Sequence, residues 1–188
     1  MTSIARNGFA TVLALALTGG PILLAPAQSL AQEKHKLSWS VRPENTQYTV
    51  QHGLDIADMS GHVIRLFEIR RTWPENAPMV EGFKVVEEVV RGLGDSITGD
   101  GRAWGYSFWR LENGDLMFNE WQNANQNFVN PDGSRRVNSV GTYVTTGGTG
   151  KLRGIKGRGR FSGVSEFTAE GKGTRSAYSA EGEYWIEK

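Results

Sequence analysis

Apolar and polar residues alternate in short runs along the chain after Gln32, and glycine, asparagine or proline separates the runs. The runs are rich in β-branched and aromatic residues, which favour strands, and none has the spacing of a long amphipathic helix. We predict eight strands, at 46–52, 62–72, 82–91, 102–112, 115–123, 136–145, 157–167 and 175–187. Regularly spaced short strands with turns between them are typical of an all-β sandwich or barrel.

Eight strands in roughly 150 residues favour a closed antiparallel barrel, because closure leaves no unpaired sheet edge. We therefore predict an all-β, closed antiparallel eight-stranded barrel over residues 46–188, preceded by an extended segment at 32–45. Glycine-containing segments between the runs, such as 92–95 and 131–133, are expected to be loops.

The sharpest turn signal is Asn113-Gly114, which lies between two strand-like runs. Asn-Gly supplies the two left-handed residues of a type I′ turn, and such a turn would pair Glu112 with Asp115. Alternation then gives the hairpin two faces, and neither is plainly polar. We expect one face to line the barrel and the other to contact a covering segment or a second subunit of a homo-oligomer, a dimer or a trimer.

The first 31 residues have the composition of a secretory signal peptide. Arg6 is their only charged residue, an apolar stretch follows it, and residues 29–31 form a small-x-small site. A membrane anchor needs about 20 unbroken apolar residues, and residues 19–21, Gly-Gly-Pro, interrupt this stretch. We predict cleavage after Ala31, with Ala27 as the alternative, and an exported protein, periplasmic or secreted, with no membrane span.

The composition narrows the possible chemistry. The 188 residues include no cysteine, which excludes disulfides, thiolate metal sites and cysteine nucleophiles. The chain has 21 basic and 20 acidic residues, so loss of Arg6 with the signal peptide leaves 20 of each. A neutral, exported protein has no electrostatic basis for nucleic acid as its partner.

Residues 141–163 are rich in glycine. A phosphate-binding loop needs a helix after its glycines, and none is predicted after Gly150. We interpret residues 147–150 as a tight crossing between strands, and Gly157, Gly159 and Gly163 as positions that leave room where the sheet bends.

The segment 147–157, Gly-Gly-Thr-Gly-Lys-Leu-Arg-Gly-Ile-Lys-Gly, resembles a segment of the dirigent proteins. Those proteins share an eight-stranded barrel with the plant allene oxide cyclases, and the likeness is good over about 25 residues. The resemblance implies an often trimeric barrel whose apolar cavity orients a reactive small molecule without a cofactor. It implies no site residues, since the polar cavity residues of the family lie outside this segment.

The aromatic face of the hairpin is the candidate ligand site, because a mostly apolar wall with few polar groups is typical of small-molecule pockets. Its predicted ligand-binding residues are Trp104, Phe108, Met117, Asn119 and Trp121. On the same face Arg110 would hold a carboxylate or enolate oxygen and Tyr106 would donate a proton. Glu120 lies on the opposite face and becomes the general base if inside and outside are reversed. Alternatively, the rings fill a solid core or a subunit interface.

Four possible metal ligands, His52, Asp55, Asp58 and His62, fall within eleven residues. Imidazole and carboxylate groups bind zinc, but their spacing here matches no standard motif. We therefore predict no metal ion and no other cofactor.

Three functions fit these features. The first is a cofactor-free isomerase or cyclase that steers the conformation of a hydrophobic or aromatic substrate. The second is a non-catalytic carrier of a lipophilic ligand, and the third is a structural protein with a solid core. A cavity larger than about 300 Å³ excludes the third. A titratable group with a shifted pKa inside the cavity favours the first.

Overall fold

The structure, a computed structural model, describes residues 32–187. This part of the chain consists of ten strands and two short 3-10 segments, Pro43–Asn45 and Gly150–Leu152, and contains no α-helix. The strands are β1 (His35–Val41), β2 (Thr46–Asp55), β3 (His62–Thr72), β4 (Met79–Val80), β5 (Phe83–Ile97), β6 (Asp100–Leu111), β7 (Leu116–Val129), β8 (Arg135–Gly148), β9 (Ile155–Phe167) and β10 (Gly173–Ile186). The all-β prediction is confirmed.

All ten strands belong to one antiparallel sheet with the order β1-β10-β9-β8-β7-β6-β5-β3-β2, and β4 pairs with β5 beside this path. The eight predicted strands correspond to β2, β3 and β5 to β10. The additional strand β1 lies in the predicted extended segment, where Leu37, Trp39 and Val41 alternate with polar residues.

The predicted closed eight-stranded barrel is wrong, because the ten-stranded sheet is not closed. β1 pairs with residues 178–184 of β10 and so occupies the edge that a closing β2 would need. The ends approach each other at Gln51 of β2, whose side-chain amide donates to the Gly173 carbonyl at 3.2 Å and accepts from the Gly173 N–H at 2.7 Å. Side-chain hydrogen bonds therefore connect β2 to β10 where a barrel would have a backbone ladder.

One end of the curled sheet is filled with apolar side chains, and we call it the packed end. Its fully buried residues are Val80, Val85, Leu111, Met117, Leu152 and Ile155. Leu152 comes from the glycine-rich connection after β8, where Thr149 Oγ1 accepts the Leu116 N–H at 2.8 Å. This connection is the predicted crossing between strands, and it covers the packed end.

The β6–β7 hairpin differs from its predicted register by one residue. Arg110 lies opposite Leu116, and the Leu111 N–H donates to the Asp115 carbonyl, so three residues form the turn. Gly114 has a φ of +88°, whereas Asn113 is not left-handed: its side chain accepts the Asp115 N–H. An Asx-type bond and one left-handed glycine form a three-residue turn with a bulge in place of type I′.

Residues 92–95, predicted as a loop, lie inside β5. Gly92 allows the ring of Trp121 to lie against the strand, since a Cβ at this position would be 2.6 Å from that ring. The glycine here makes room for an aromatic side chain and does not interrupt the strand. Among residues 32–187, no helix is long and apolar enough to span a membrane.

Candidate binding cavity

The inner face of the curled sheet encloses a cavity of about 510 Å³. The cavity lies beyond the packed end, and Gly61, Gly99 and Gly171, from three of the connections at the opposite end, take part in its lining. We call this opposite end the open end. The volume exceeds the limit of about 300 Å³ that separates a ligand cavity from a solid core, so the solid-core alternative is excluded.

Nine aromatic side chains line the cavity: Trp39, Tyr48, Phe67, Trp109, Trp121, Tyr143, Phe161, Phe167 and Tyr178. They come from eight different strands, because the inward position of each strand alternates with an outward one. Such a wall offers a large apolar contact area to a ligand with a flat or flexible apolar body.

Glycines opposite the rings create the space that the rings occupy. A Cβ on Gly159 would lie 2.4 Å from the Tyr143 ring, as a Cβ on Gly92 would lie close to Trp121 and Phe67. Gly159 is one of the positions predicted to leave room, and the room is taken by an aromatic ring.

A buried ion pair lies in the cavity lining. The Arg71 guanidinium donates to the Glu88 carboxylate at 2.9 Å, across the β3–β5 ladder, and both side chains are less than a tenth exposed. Arg71 also lies over the Tyr178 ring, with its central carbon 4.7 Å from the ring centroid. Because the two charges compensate each other, the pair introduces polar chemistry without a net charge.

Tyr143 brings a hydroxyl into the same lining. Burial, and secondly the negative charge of Glu88, raise the pKa of Tyr143 to about 12. The hydroxyl has no hydrogen-bond partner in the described chain. Its oxygen is buried beside Gly182, and the hydroxyl stays protonated at neutral pH.

A second polar group of the cavity is a chain of hydroxyl and amide side chains. Tyr178 Oη donates to Ser139 Oγ at 3.2 Å, and Ser139 Oγ donates to Asn125 at 2.7 Å. Ser165 Oγ lies 3.2 Å from the same phenol oxygen. Burial also raises the pKa of the nearby Tyr48. The Tyr48 phenol therefore stays neutral, and the network holds the Tyr178 ring in place.

The predicted ligand-binding residues separate onto two faces. Asn119 and Trp121 line the cavity, and Met117 belongs to the packed end. Trp104 and Phe108 lie on the outer face of β6, and Trp104 is 38% exposed. The one-residue change of register explains the separation, because it moves the β7 residues onto the face of Ser107 and Trp109.

The three residues predicted as catalytic lie on the outer face. Arg110 forms an ion pair of 2.9 Å with Glu87, and Tyr106 lies opposite Glu120 in the β6–β7 ladder. Tyr106 is 66% exposed. Tyr106 and Glu120, with Trp104, line an outer groove, and none of the three lines the cavity. A catalytic role for these three residues stays a prediction.

Of the four residues considered as metal ligands, Asp58 and His62 are in contact. His62 Nδ1 lies 2.6 Å from Asp58 and Nε2 lies 3.0 Å from Asp95 of β5. These hydrogen bonds raise the pKa of His62, and they lower the pKa of both carboxyl groups. Within residues 32–187, no three His, Asp or Glu side chains are arranged to hold a metal ion.

Sequence reasoning did not select the cavity residues of β3. Arg65, Phe67, Ile69 and Arg71 all line the cavity at every second position. The alternation was a usable signal, because it puts Arg65 and Phe67 on one side of the strand and Glu68 on the other. The outer Glu68 forms a 2.8 Å ion pair with Arg91.

Comparison of the chain with protein-family models, with curated proteins and with solved structures found no match. The resemblance of residues 147–157 to the dirigent proteins therefore stays a prediction.

Proposed function

We propose that this protein binds a lipophilic small molecule inside the curled sheet and acts as its carrier. The observation that carries the proposal is the cavity of about 510 Å³ lined by nine aromatic rings and open at one end. Ligand cavities have volumes of about 300–1,000 Å³ and mostly apolar walls with a few polar groups.

The hydrophobic effect supplies the affinity in this proposal. Each Å² of apolar ligand surface removed from water contributes about 25 cal/mol. Aromatic walls add contacts with ligand π systems. The polar groups of the lining, Asn119 and the hydroxyls of Ser139 and Tyr178 among them, then select the orientation of the ligand.

A fluorescence titration with N-phenylnaphthylamine, a neutral apolar probe, tests the proposal. We expect saturable binding of one probe per chain. Ser107, a small buried residue of the lining, gives the test variant: Ser107→Leu fills the cavity and is expected to weaken binding about tenfold or more. Tyr106→Ala, on the exposed outer face of the same strand, is the matched control and should bind like the wild type.

Native mass spectrometry of protein purified from its own host gives an independent test. A retained small molecule would support the carrier function, and the mass of the intact assembly gives the oligomeric state. Binding of N-phenylnaphthylamine that is unaffected by Ser107→Leu but lost in Tyr106→Ala would contradict the proposal, since it would locate the site on the outer face.

The second candidate is a cofactor-free isomerase or cyclase in the same cavity. It is favoured by one observation: the buried Glu88 and Tyr143 groups, together with Arg71, bring a carboxylate and a hydroxyl donor into an apolar space. A carboxylate that accepts a proton and a neutral donor that stabilises developing negative charge suit proton transfer next to a carbonyl. Tyr143→Phe would then abolish conversion of the ligand found by native mass spectrometry and preserve its binding. In a pure carrier the ligand returns chemically unchanged.

Two further expectations remain predictions. Residues 1–31 lie outside the described residues, so the signal peptide is tested by N-terminal sequencing of the exported protein, which we expect to begin at Gln32. The homo-oligomer requires an apolar outer surface, and Tyr106, Val140 and Val144 are each more than half exposed on β6 and β8. Analytical ultracentrifugation measures whether the protein is a dimer or a trimer.

A further inference from the structure

The cavity lining carries more positive than negative charge. Its charged residues are Arg65, Arg71, Glu88, Arg102, Arg135, Glu170 and Lys172, five basic and two acidic. Arg71 is neutralised by Glu88 at 2.9 Å, and Arg102 lies 3.3 Å from Asp95. The excess of positive charge therefore resides in the remaining basic residues, which are near the open end.

Arg65 is held in place by aromatic rings that leave its donors available. Its central guanidinium carbon lies 4.5 Å from the Phe167 ring centroid and 5.5 Å from that of Phe67. Rings contact the face of a guanidinium, whereas its five N–H groups point outward along its edge. Within residues 32–187 these donors have one hydrogen-bond acceptor, the Gly171 carbonyl at 3.4 Å, and Arg65 forms no ion pair.

Arg135 brings a second cation to the same place. A Cβ on Gly171 would lie 2.6 Å from Arg135 Nη2, so both guanidinium groups border this glycine. Burial lowers the pKa of Arg65, and the charge of Arg135 lowers it further. Thr168 lowers the pKa of Glu170, which lies next to Gly171, so this carboxylate stays charged. Two neighbouring, partly buried cations are unfavourable until an anion compensates them.

We propose, on the basis of the carrier function proposed above, that the ligand carries a carboxylate that Arg65 and Arg135 bind near the open end. Guanidinium groups bind carboxylates through paired N–H donors, and burial strengthens such charge-assisted hydrogen bonds. The apolar body then lies among the rings, along β3 in the direction of Arg71. Six residues of strand separate Arg65 from Arg71, which corresponds to roughly 20 Å. The ligand class is an amphipathic carboxylate.

Isothermal titration calorimetry with dodecanoate and dodecanol tests this proposal, because the two probes share the apolar chain and differ in the headgroup. We expect the wild type to bind dodecanoate at least about tenfold more tightly. Arg65→Met keeps an unbranched apolar stem and removes the charge; it should remove that preference and leave dodecanol binding unchanged. Arg65→Lys keeps the positive charge and should retain part of the preference for dodecanoate over dodecanol. Arg136→Met, at the exposed neighbour of Arg135, should have no effect.

Equal affinity of the wild type for dodecanoate and dodecanol would overturn the carboxylate site and leave the carrier function standing. An equal loss of affinity for both probes in Arg65→Met, with a native circular dichroism spectrum, would also overturn the carboxylate site. Arg65 would then only support the aromatic wall. Absence of binding of dodecanoate, dodecanol and N-phenylnaphthylamine alike would contradict the carrier function itself.

Discussion

The two ends of the curled sheet share the same strands but are filled differently. The inward positions of β6 read Ala103, Gly105, Ser107, Trp109 and Leu111 from the open end to the packed end. The three inward residues nearer the open end are therefore small, and the two nearer the packed end are large. Because inward side chains fill the space between facing strands, small residues leave a cavity and large ones close it. The comparison shows that a cavity is encoded by the size of every second residue as well as by hydrophobicity.

β5 follows the same rule with different residues. Val85 is fully buried at the packed end, whereas Val90, Gly92 and Gly94 lie further along the strand toward the open end. Glu88 lies between the two regions and pairs with Arg71. The ion pair thus lies where the packed core gives way to the cavity.

Breaking the ion pair should have the largest effect on stability. Arg71→Met leaves the Glu88 carboxylate buried without a partner, and we expect a loss of about 3–5 kcal/mol in the free energy of unfolding. The double variant Arg71→Met with Glu88→Gln removes both charges and should recover most of that loss. Urea denaturation measures both. A single variant as stable as the wild type would show that the carboxylate is solvated.

A matched pair of substitutions on β5 compares the two ends directly. Val85→Ala at the packed end should cost about 2 kcal/mol, because the methyl groups leave a new void in a close-packed core. Val90→Ala removes the same atoms beside an existing cavity and should cost about 1 kcal/mol. If chemical denaturation gives equal losses in the free energy of unfolding for the two variants, or a larger loss for Val90→Ala, the two ends do not differ in packing.

Gly92→Ala tests whether the rings depend on the glycines beneath them. The new Cβ would lie 2.6 Å from the Trp121 ring, so that ring must move, at a cost of about 1–2 kcal/mol and with a change in tryptophan fluorescence. Gly147→Ala is the control, since a Cβ there meets no atom within 4 Å. Identical stability and fluorescence in both variants would rule out the close contact.

The smallest expected effect is the pH dependence of the His62 contacts. Because the pKa of His62 is raised in the folded protein, protonation of His62 contributes to the free energy of unfolding. This contribution is complete below pH 6.5 and is lost as the pH rises through the folded-state pKa. Because the pKa values of Asp58 and Asp95 are lowered in the folded protein, their ionised carboxylates also contribute to the free energy of unfolding. These contributions are complete above pH 3.8 and are lost as the pH falls through the folded-state pKa values. The contacts therefore stabilise most between pH 3.8 and 6.5.

Thermal melts of His62→Gln at about pH 5.5 and about pH 8.5 measure this dependence. We expect the substitution to lower Tm more at the lower pH. His52→Gln, at an exposed position of β2, is the control and should show no such difference. An equal change in Tm at both pH values would mean that protonated His62 does not contribute.

The sequence was sufficient to predict the all-β class and the positions of eight strands, because alternation and turn residues are local signals. It was insufficient for closure of the sheet, which depends on whether β1 or β2 occupies the edge of β10. It also missed the hairpin register, because the Asn113 side chain bonds to Asp115 and changes the turn type. A one-residue error of register moves every β7 side chain to the opposite face relative to β6. The predicted site residues of the two strands therefore lie on different faces of the sheet.

The site itself was only partly accessible to sequence reasoning. Asn119 and Trp121, two of the predicted ligand-binding residues, line the cavity, and their role in binding stays a prediction. Arg65 and Glu88 were not selected as site residues, because the groups that they contact, Phe167 and Arg71, lie on other strands. Burial of a charge is decided by those partners and not by its neighbours in sequence.

Crystals soaked with bromonaphthalene test the central claim, that the curled sheet encloses an accessible apolar cavity, most directly. Anomalous scattering locates the bromine atom without reference to any assumed pose. We predict a bromine peak inside the sheet, among Trp109, Trp121 and Phe161. A peak confined to the outer groove at Trp104 and Tyr106, or an interior filled by side chains, would contradict it.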